Sequence, residues 1–392
     1  MRRALLIVVA VSGCVLEANP AFVASDGSSG SASTTTGTAL TVTSSGDAST
    51  GTTTPTTDAP ATTGNEDTTT STEPAELDVE VLEVGEASFE AVPRLAWSGS
   101  ELGVSWDVHQ QFARFDVAGE SLGLVESPLN LDAKNPHLTA LDGRFYGGYV
   151  GFSSEVFLLE RQATDTWVSL GRKDEGGDSL SVVVTPFNGG LVMAWRQLVI
   201  EMQVILVDAK GNVLATDQQP LGSAHRPFRF LPTEDSLYLL IEQDEGLHSL
   251  MRYDHALTYM GREAVNDGPT DVVLESDGFS FAAARDGRLV LAAFDGQAIQ
   301  GELTQLEPRP GEVHEVRMLG RAGRYLVAWS ETGADRVGRI YVGRARDGQG
   351  FEKQLIVEGV VSLSDLISIT DDTAALGWGV PDDAVYVGMV RW

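Results

Sequence analysis

Apolar and polar residues alternate in a short segment that occurs seven times along this chain. Its first copy is ELGVSWD, residues 101–107, in which Leu102, Val104 and Trp106 are apolar. The other copies begin at residues 144, 190, 236, 278, 324 and 373, so successive starts lie 42 to 49 residues apart. Alternation with a period of two places the apolar side chains on one face of a β-strand. A spacing of this length is typical of repeat architectures.

The residues between the apolar positions are mostly small, as in Gly103, Ser105, Ala194 and Ala328. Small residues on the second face predict a strand that neighbouring sheets cover on both sides. In four copies the last apolar position is a tryptophan, namely Trp106, Trp195, Trp329 and Trp378. Because their place in the strand is fixed, we interpret these indoles as packing residues and not as a stacking platform for sugars.

Each repeated segment is the second in a group of four predicted strands. One strand precedes it, as in PRLAWSG from residue 93, and one follows it, as in EMQVILVD from residue 201. A fourth comes after a short turn, as in NVLATD from residue 212. Four strands in about 45 residues is the period of a β-propeller blade. A helix over residues 235–261 would suit the local composition, but it would interrupt the repeat and we reject it.

The two ends of the repeat region complement each other. The last repeat stops at Trp392 after its third strand, whereas LDVEVLEV, residues 77–84, is an extra strand before the first repeat. If the extra strand joined the last blade, the ring would close and two open sheet edges would disappear. The sequence therefore predicts an all-β fold over residues 77–392: a seven-bladed β-propeller of four-stranded antiparallel blades, closed by the N-terminal strand.

The first 14 residues, MRRALLIVVAVSGC, have the layout of a secretory signal. Two arginines precede an apolar run that is too short to span a bilayer as a helix. The last four residues, Val11-Ser12-Gly13-Cys14, resemble the lipobox of bacterial lipoproteins. In that family the signal is cut before the cysteine, whose sulfur receives a diacylglycerol and whose new amino group is acylated. The resemblance implies a signal peptide over residues 1–13 and lipid attachment at Cys14.

Several acyl chains exceed what stable anchoring needs, so we expect a protein tethered to a membrane and not embedded in it. In lipoproteins of bacteria with two membranes, an aspartate directly after the cysteine commonly retains the protein at the inner membrane. Here that residue is Val15, and the resemblance implies the outer membrane of such a host, on its periplasmic or exposed side. The alternative is ordinary cleavage after Ala18 or Ala24, but Leu16 and Phe22 would then stand where small residues are preferred.

Residues 14–76 have the composition of a disordered linker. Between residues 25 and 72, 27 of 48 residues are Ser or Thr, and no basic residue occurs between Arg3 and Arg94. Such a segment cannot bury enough apolar surface to offset the entropy lost on ordering. About 50 residues have a reach of roughly 40 Å, enough to hold a folded domain clear of the lipid headgroups.

The net charge of the chain is −29, from 27 basic and 56 acidic residues. Such a surface repels phosphate backbones, so we expect no nucleic-acid partner. A single cysteine excludes an intramolecular disulfide, and the sequence holds no Cys/His cluster for a structural metal. We therefore predict no metal and no cofactor, and we expect a monomer.

Two motifs that suggest catalysis are better explained as turns. Residues 119–123, GESLG, match the G-x-S-x-G nucleophile elbow, which needs a strand before it and a helix after it. In this chain the match falls between the third and fourth predicted strands of the first blade, and we interpret it as a hairpin. Five Asp-Gly pairs also fall at predicted turns, where they suit tight hairpins: Asp142-Gly143, Asp277-Gly278, Asp286-Gly287, Asp295-Gly296 and Asp347-Gly348. We predict no catalytic residue.

The connections between blades are long, whereas the turns between first and second strands are brief. Long loops on a rigid scaffold often carry binding sites, so the face with these connections is the candidate binding face. Basic or titratable residues occur where first strands leave that face: Arg94, His137, His225, Arg226, Arg229, His314 and Arg317. Four of them stand seven residues before their repeated segment: Arg94, His137, Arg229 and Arg317.

These residues allow two interpretations. A ring of them near the central opening would favour an anionic ligand, for instance a carboxylate or an acidic glycan. Alternatively, each arginine pairs with a nearby acid such as Asp132, Glu263 or Glu315, and the histidines merely end strands.

The function we predict is non-catalytic binding of a ligand, an envelope protein or a glycan by a membrane-anchored propeller. The alternative is a glycan hydrolase or lyase with its site at the channel mouth, because the fold alone does not decide function. An enzyme should bring a polar cluster with shifted pKa values together at the channel mouth. A binding module should show only a shallow patch, and a passive spacer should show neither.

Overall fold

The computed structural model describes residues 77–86, 92–106, 111–125, 134–151, 153–163, 166–174, 179–197, 201–221, 225–243, 247–268, 270–275, 278–286, 288–294, 299–307, 311–321, 323–346, 351–359, 361–381 and 384–392. Cys14, the predicted linker and most of the long connections between blades lie outside these ranges. The regular elements of the described chain are β-strands, and none of its residues forms a helix that could cross a membrane.

The strands form seven four-stranded antiparallel sheets, which confirms the predicted propeller. Blade 1 contains β2 (Arg94–Trp97), β3 (Leu102–Trp106), β4 (Gln111–Phe115) and β5 (Ser121–Val125). Blade 2 contains β6 (Lys134–Leu141), β7 (Arg144–Val150), β8 (Val156–Arg161) and β9 (Trp167–Arg172). Blade 3 contains β10 (Ser179–Phe187), β11 (Gly190–Gln197), β12 (Glu201–Val207) and β13 (Val213–Pro220).

The remaining blades have the same order. Blade 4 contains β14 (His225–Pro232), β15 (Ser236–Gln243), β16 (Leu247–Asp254) and β17 (Tyr259–Asp267). Blade 5 contains β18 (Thr270–Glu275), β19 (Gly278–Arg285), β20 (Arg288–Phe294) and β21 (Ile299–Glu307). Blade 6 contains β22 (Glu312–Arg321), β23 (Arg324–Thr332), β24 (Gly338–Arg346) and β25 (Glu352–Gly359). Blade 7 contains β26 (Ser362–Ser368), β27 (Thr373–Val380), β28 (Ala384–Arg391) and β1 (Asp78–Glu86).

The N-terminal strand closes the ring, as the sequence predicts. β1 pairs antiparallel with β28, from Asp78 opposite Arg391 to Glu86 opposite Ala384. Its far end also meets blade 1, because the Trp106 indole Nε1 donates a hydrogen bond to the Glu86 carbonyl oxygen at 3.0 Å. A methyl group at Gly85 would lie 2.8 Å from the Trp106 ring, so the chain can approach the indole this closely only with glycine there.

The repeated segments form the packed centre of each blade. All five residues of β3 and the first six of β11 are buried, which confirms that sheets cover both faces. The four tryptophans of the column are 0 to 2% exposed, so they are packing residues. Two of them stack on a tyrosine of the next strand, Trp329 on Tyr341 and Trp378 on Tyr386.

The motifs interpreted as turns form hairpins where they are described. Asp142 and Gly143 have φ angles of 51° and 76°, the left-handed values of a tight hairpin. Ser121 begins β5, so a strand and not a helix follows the G-x-S-x-G match. The Asp277-Gly278, Asp286-Gly287, Asp295-Gly296 and Asp347-Gly348 pairs each include a residue outside the described part of the chain.

First strands of neighbouring blades lie side by side around a central channel. β2 contacts β6 and β26, β10 contacts β6 and β14, and β22 contacts β18 and β26. Because the blades repeat one strand order, their first strands run in the same direction along the channel. Residues near the starts of these strands therefore lie at one end of the channel, and residues near their ends lie at the other.

Candidate functional site

The central channel holds a cavity of about 810 Å³, a volume within the range of sites that bind small ligands. Residues of six first strands line it: β2, β6, β10, β14, β22 and β26. The four-stranded blades fix the positions of these strands, so the backbone around the cavity is in place before any ligand enters.

All the titratable lining residues lie at one end of the channel, which we call the arginine end. They are Arg94, His137, Arg196, Arg226, Arg229, Glu315, Arg317 and Asp365. Within each first strand, the lining residues that come after the last of these side chains are uncharged. Arg196 belongs to β11 but lies near the end of that strand, which runs antiparallel to β10 and so returns to the same end. Five guanidinium groups thus face two carboxylates in a protein whose net charge is −29.

Three of the arginines are paired with acids. Arg94 Nη1 lies 3.3 Å from Asp365 Oδ1, and Arg229 Nη1 lies 2.7 Å from Asp271 Oδ2. The side chain of Asp271 is completely buried, whereas that of Arg229 is 29% exposed. The third pair, Arg226 with Glu242, lies at the surface. Arg229 therefore presents the accessible side of a buried ion pair to the channel.

Side chains at the arginine end also accept hydrogen bonds from backbone N–H groups of the neighbouring first strand. Asp365 Oδ2 accepts the N–H of Leu95 at 3.0 Å, and Asp271 Oδ2 accepts the N–H of Met318 at 2.8 Å. The third such acceptor is His137, whose Nδ1 accepts the N–H of Val184 at 3.3 Å; the proton of the neutral ring is then on Nε2. Each bond joins one blade to the next.

Arg317 is held almost entirely by protein. Its Nη1 donates to its neighbour's carbonyl, Val316 O, at 2.9 Å, and its Nε donates to Ser364 O of blade 7. The guanidinium carbon lies 4.6 Å from the centroid of the Phe228 ring of blade 4, which is a cation–π contact. Arg317 therefore connects three blades, and its role in the ring is structural as well as electrostatic.

The pKa values at the arginine end reflect burial and the arginine charges. Burial and the charge of Arg94 lower the pKa of His137 to about 4, so this histidine is neutral at pH 7. Burial raises the pKa of Glu315 although Arg317 and Arg94 lie close. Burial alone would also raise the pKa of Asp365, but the charges of Arg94, His137 and Arg317 together hold it below its usual range.

We expect the stability lost on acidification to be smaller in His137→Asn than in the wild type. The unfolded ring takes up a proton near pH 6.5 and the folded ring only near pH 4, so the wild type loses stability as the pH falls through that window. The loss is about 1–3 kcal/mol, the lower figure applying when channel water solvates the ring. Asparagine keeps an acceptor for Val184 N–H but does not titrate. Urea unfolding of both proteins at pH 7 and pH 4.5 measures the difference, and equal losses would contradict the assignment.

The structure brings most of the predicted ring together. Arg94, His137, Arg226, Arg229 and Arg317 line the cavity. His314 does not, and its Nε2 lies 2.8 Å from Thr332 Oγ1 at an exposed position. His225 begins β14, and its side chain lies outside the described part of the structure.

The pairing of arginines with acids, the second interpretation of these residues, is present, and the anionic ligand of the first interpretation stays a prediction. Arginines do pair with acids, but their partners are mainly Asp365 and Asp271. Of the acids considered from the sequence, Asp132 is outside the described residues, and Glu263 lies exposed in β17. Glu315 lines the cavity, where its charge raises the pKa of Arg317 against the lowering caused by burial.

Sequence reasoning missed three residues of the site. Asp271 stands seven residues before Gly278, where the repeated segment of blade 5 begins. Arg94 has the same spacing from its own segment, so a count of seven residues in every blade would identify Asp271. Asp365 stands eight residues before Thr373, because an irregularity between Leu363 and Leu366 shifts the register of β26. The third residue, Arg196, belongs to a second strand, and no spacing in the sequence marks it as a channel residue.

Comparison with known proteins shows the fold and nothing finer. Many solved chains match this one. One is a structure of a streptogramin B lyase, which is 12% identical, has a TM-score of 0.55 and covers 80% of this chain and 98% of its own. No family model matches the chain, and no curated protein matches it.

Proposed function

We propose that this chain is a lipid-anchored protein of the cell envelope whose propeller binds an anionic ligand at the arginine end of its channel. The observation that carries the proposal is the local reversal of charge: five arginines line the cavity of a protein with a net charge of −29. Maintaining such a concentration of positive charge is costly unless acids or a ligand compensate it. Asp365 and Glu315 in the cavity, with Asp271 and Glu242 beside it, compensate four of these charges, and Arg226 and Arg229 keep an accessible side toward the channel.

Backbone donors support the same proposal. The N–H groups of Leu95 and Met318 donate to the carboxylates of Asp365 and Asp271, and both residues lie opposite the fourth residue of their repeated segments. Leu138 and Phe230 occupy that register position in blades 2 and 4 and line the cavity. In the blades that precede them, Arg94 and Val183 stand at the position from which His137 and Asp271 accept such an N–H, and neither of these two side chains can accept a hydrogen bond. Two backbone donors beside arginines suit the oxygens of a carboxylate, sulfate or phosphate.

Arg226→Gln tests the proposal, with Arg144→Gln as its matched control. Both arginine side chains are 63% exposed and each pairs with one glutamate, but only Arg226 lines the cavity. We expect Arg226→Gln to weaken anion binding about tenfold, as for the loss of one hydrogen bond to a charged group, and Arg144→Gln to leave it as in the wild type. Isothermal titration with sulfate, acetate and galacturonate measures this. Equal affinities in all three proteins would refute the channel as the site.

Lipid attachment at Cys14 is a separate part of the proposal and has its own test. Cells fed labelled palmitate should incorporate the label into the wild-type protein and not into Cys14→Ala, because the acyl chains need the modified cysteine. Fractionation should then move Cys14→Ala from the membrane to the soluble fraction. Equal labelling of the two proteins would refute the anchor.

A second candidate is a lyase or hydrolase that acts on an acidic glycan. The observation that favours it is a polar cluster with shifted pKa values at one end of the channel, formed by His137, Glu315 and Asp365. The solved lyase with the same fold agrees with this candidate. In a lyase, the Glu315 carboxylate would take the proton next to the substrate carboxylate, an arginine and the Nε2–H of neutral His137 would stabilise the resulting negative charge, and the leaving group would depart from the adjacent carbon.

The enzymatic candidate predicts a measurable product. Incubation of the protein with polygalacturonate should generate the ultraviolet absorbance of an unsaturated product if it is a lyase, or new reducing ends alone if it is a hydrolase. Glu315→Gln should then reduce the rate at least 100-fold, within the range for loss of a general base. Anion binding without either product would leave the binding function standing and exclude catalysis on this substrate.

A further inference from the structure

The channel beyond the arginine end is apolar. The lining residues toward the ends of the first strands are mostly hydrocarbon or proline: Trp97, Ala140, Pro186, Phe230, Pro232 and Ile367. Their polar companions are the hydroxyl groups of Thr139, Thr185 and Ser368, and no described lining residue in this part is charged. We call this part the apolar end of the channel.

The apolar residues are not all buried by protein. Pro232 is exposed, and Trp97, Ala140, Pro186 and Ile367 are each partly exposed. These side chains therefore leave apolar surface facing the channel, and the burial of such surface by a ligand is favourable. One cavity thus joins a positively charged region and an apolar region along a single axis.

This arrangement suits some anions better than others. An acidic sugar carries hydroxyl groups around its whole ring, and the apolar end supplies few side-chain partners for them, so their burial would be costly. An inorganic anion would fill only the arginine end of a cavity of about 810 Å³. A molecule with one acidic group and an apolar body would use both ends.

We propose that the channel binds a single-chain amphiphile with a carboxylate head, such as a medium-length fatty acid. The carboxylate lies among Arg94, Arg226 and Arg229, and the hydrocarbon chain extends along the first strands toward Trp97 and Ile367. The proposal rests on the anion-binding function proposed above and specifies the chemical class of its ligand. The bound chain excludes water from the apolar end, and the channel depth limits the length that can be accommodated.

A chain-length series tests this in the full-length protein. Isothermal titration with acetate, butanoate, hexanoate and octanoate should show an affinity that rises about fourfold with each added methylene, the gain expected for burying that group. Octanol, which has the chain without the charge, and galacturonate, which has the charge without the chain, should both bind at least tenfold more weakly than octanoate.

Two variants separate the contributions of the ends. Ile367→Thr keeps the β-branched shape of the side chain but makes it polar, and it should lower the ratio of octanoate to acetate affinity about fivefold. Its control is Leu355→Thr on the outer strand β25, where the leucine is 42% exposed and does not line the cavity. Arg226→Gln should lower the affinities for acetate and octanoate by the same factor.

The outcomes distinguish the two proposals. If acetate and galacturonate bind as tightly as octanoate, and Arg226→Gln weakens them, the amphiphile proposal fails and the anion site remains. If octanol binds as tightly as octanoate, the cavity is an apolar site without a head-group preference, and the amphiphile proposal fails as well. If no anion binds in a manner that depends on Arg226, both proposals fail.

Discussion

A chain that begins at residue 87, and so lacks β1, is expected not to form a stable propeller, whereas a chain that begins at residue 76 should be as stable as the full-length protein. Without β1, blade 7 would expose the edge of β28 along the eight residue pairs of their ladder. Unpaired sheet edges are sites of aggregation. The shorter chain should therefore be insoluble or associate through this edge.

Packing lost with β1 adds to the effect. Leu77 is buried in the core between blades 6 and 7, and Leu82 and Val84 pack against the core between blades 7 and 1. Full burial of such a side chain contributes about 1.5–3 kcal/mol and partial burial less, so the loss of all three removes a sizeable share of the ~5–15 kcal/mol stability of a typical domain. Trp106 would also lose the acceptor of its indole N–H.

Thermal unfolding and size-exclusion chromatography of the two truncated chains decide the prediction. The chain from residue 76 should show one cooperative transition at the temperature of the full-length protein. If the chain from residue 87 unfolded at that same temperature as a monomer, β1 would not be the strand that closes the ring.

Asp271→Ala is expected to destabilise the protein by about 3–5 kcal/mol. The side chain of Asp271 is completely buried and accepts three hydrogen bonds, from Arg229 Nη1 at 2.7 Å, Met318 N at 2.8 Å and Val272 N at 2.8 Å. Removal of the carboxylate leaves an arginine charge without its partner and two backbone donors without an acceptor. Breaking a buried pair from one side typically costs this much.

Asp371→Ala is the matched control for this prediction. Asp371 also pairs with an arginine, Arg321, but their side chains are 75% and 51% exposed. Exposed pairs contribute about 0–1 kcal/mol, so the two aspartate variants should differ by at least 2 kcal/mol in urea unfolding at pH 7. A similar loss in both variants would mean that the network around Asp271 does not hold blades 4, 5 and 6 together.

The fold was predictable because one physical pattern specifies it repeatedly. Alternation in the segments that begin at residues 101 and 324 identifies the same strand in two blades. If the strand were misplaced in one copy, its distance from the neighbouring copies would depart from the common spacing. The closing strand followed from a count of strands and from the cost of an open edge, and the β1–β28 ladder confirms it. The predictions for Cys14 and the linker concern residues outside the described structure and stay predictions.

The site was only partly predictable, because side-chain partners depend on the ring and not on local sequence. Arg94 and Asp365 form an ion pair although 271 residues separate them, and only ring closure places them in contact. The sequence also contained no sign that Arg196, on a second strand, reaches the channel. By contrast, the apolar end follows from residues a few positions after the charged ones, such as Trp97 three residues after Arg94, once the common direction of the first strands is known.

The pairing of β1 with β28 also sets the order of events during folding. Asp78 and Arg391 are 313 positions apart, so β1 leaves the ribosome early and has no partner until nearly the whole propeller has been made. Blades 1 to 6 each form from consecutive strands, and such local pairing is fast, whereas closing a loop of some 300 residues is slow. Of the described strands, β1 is therefore synthesised first and paired last, and until then both it and the edge of β28 need protection from other chains.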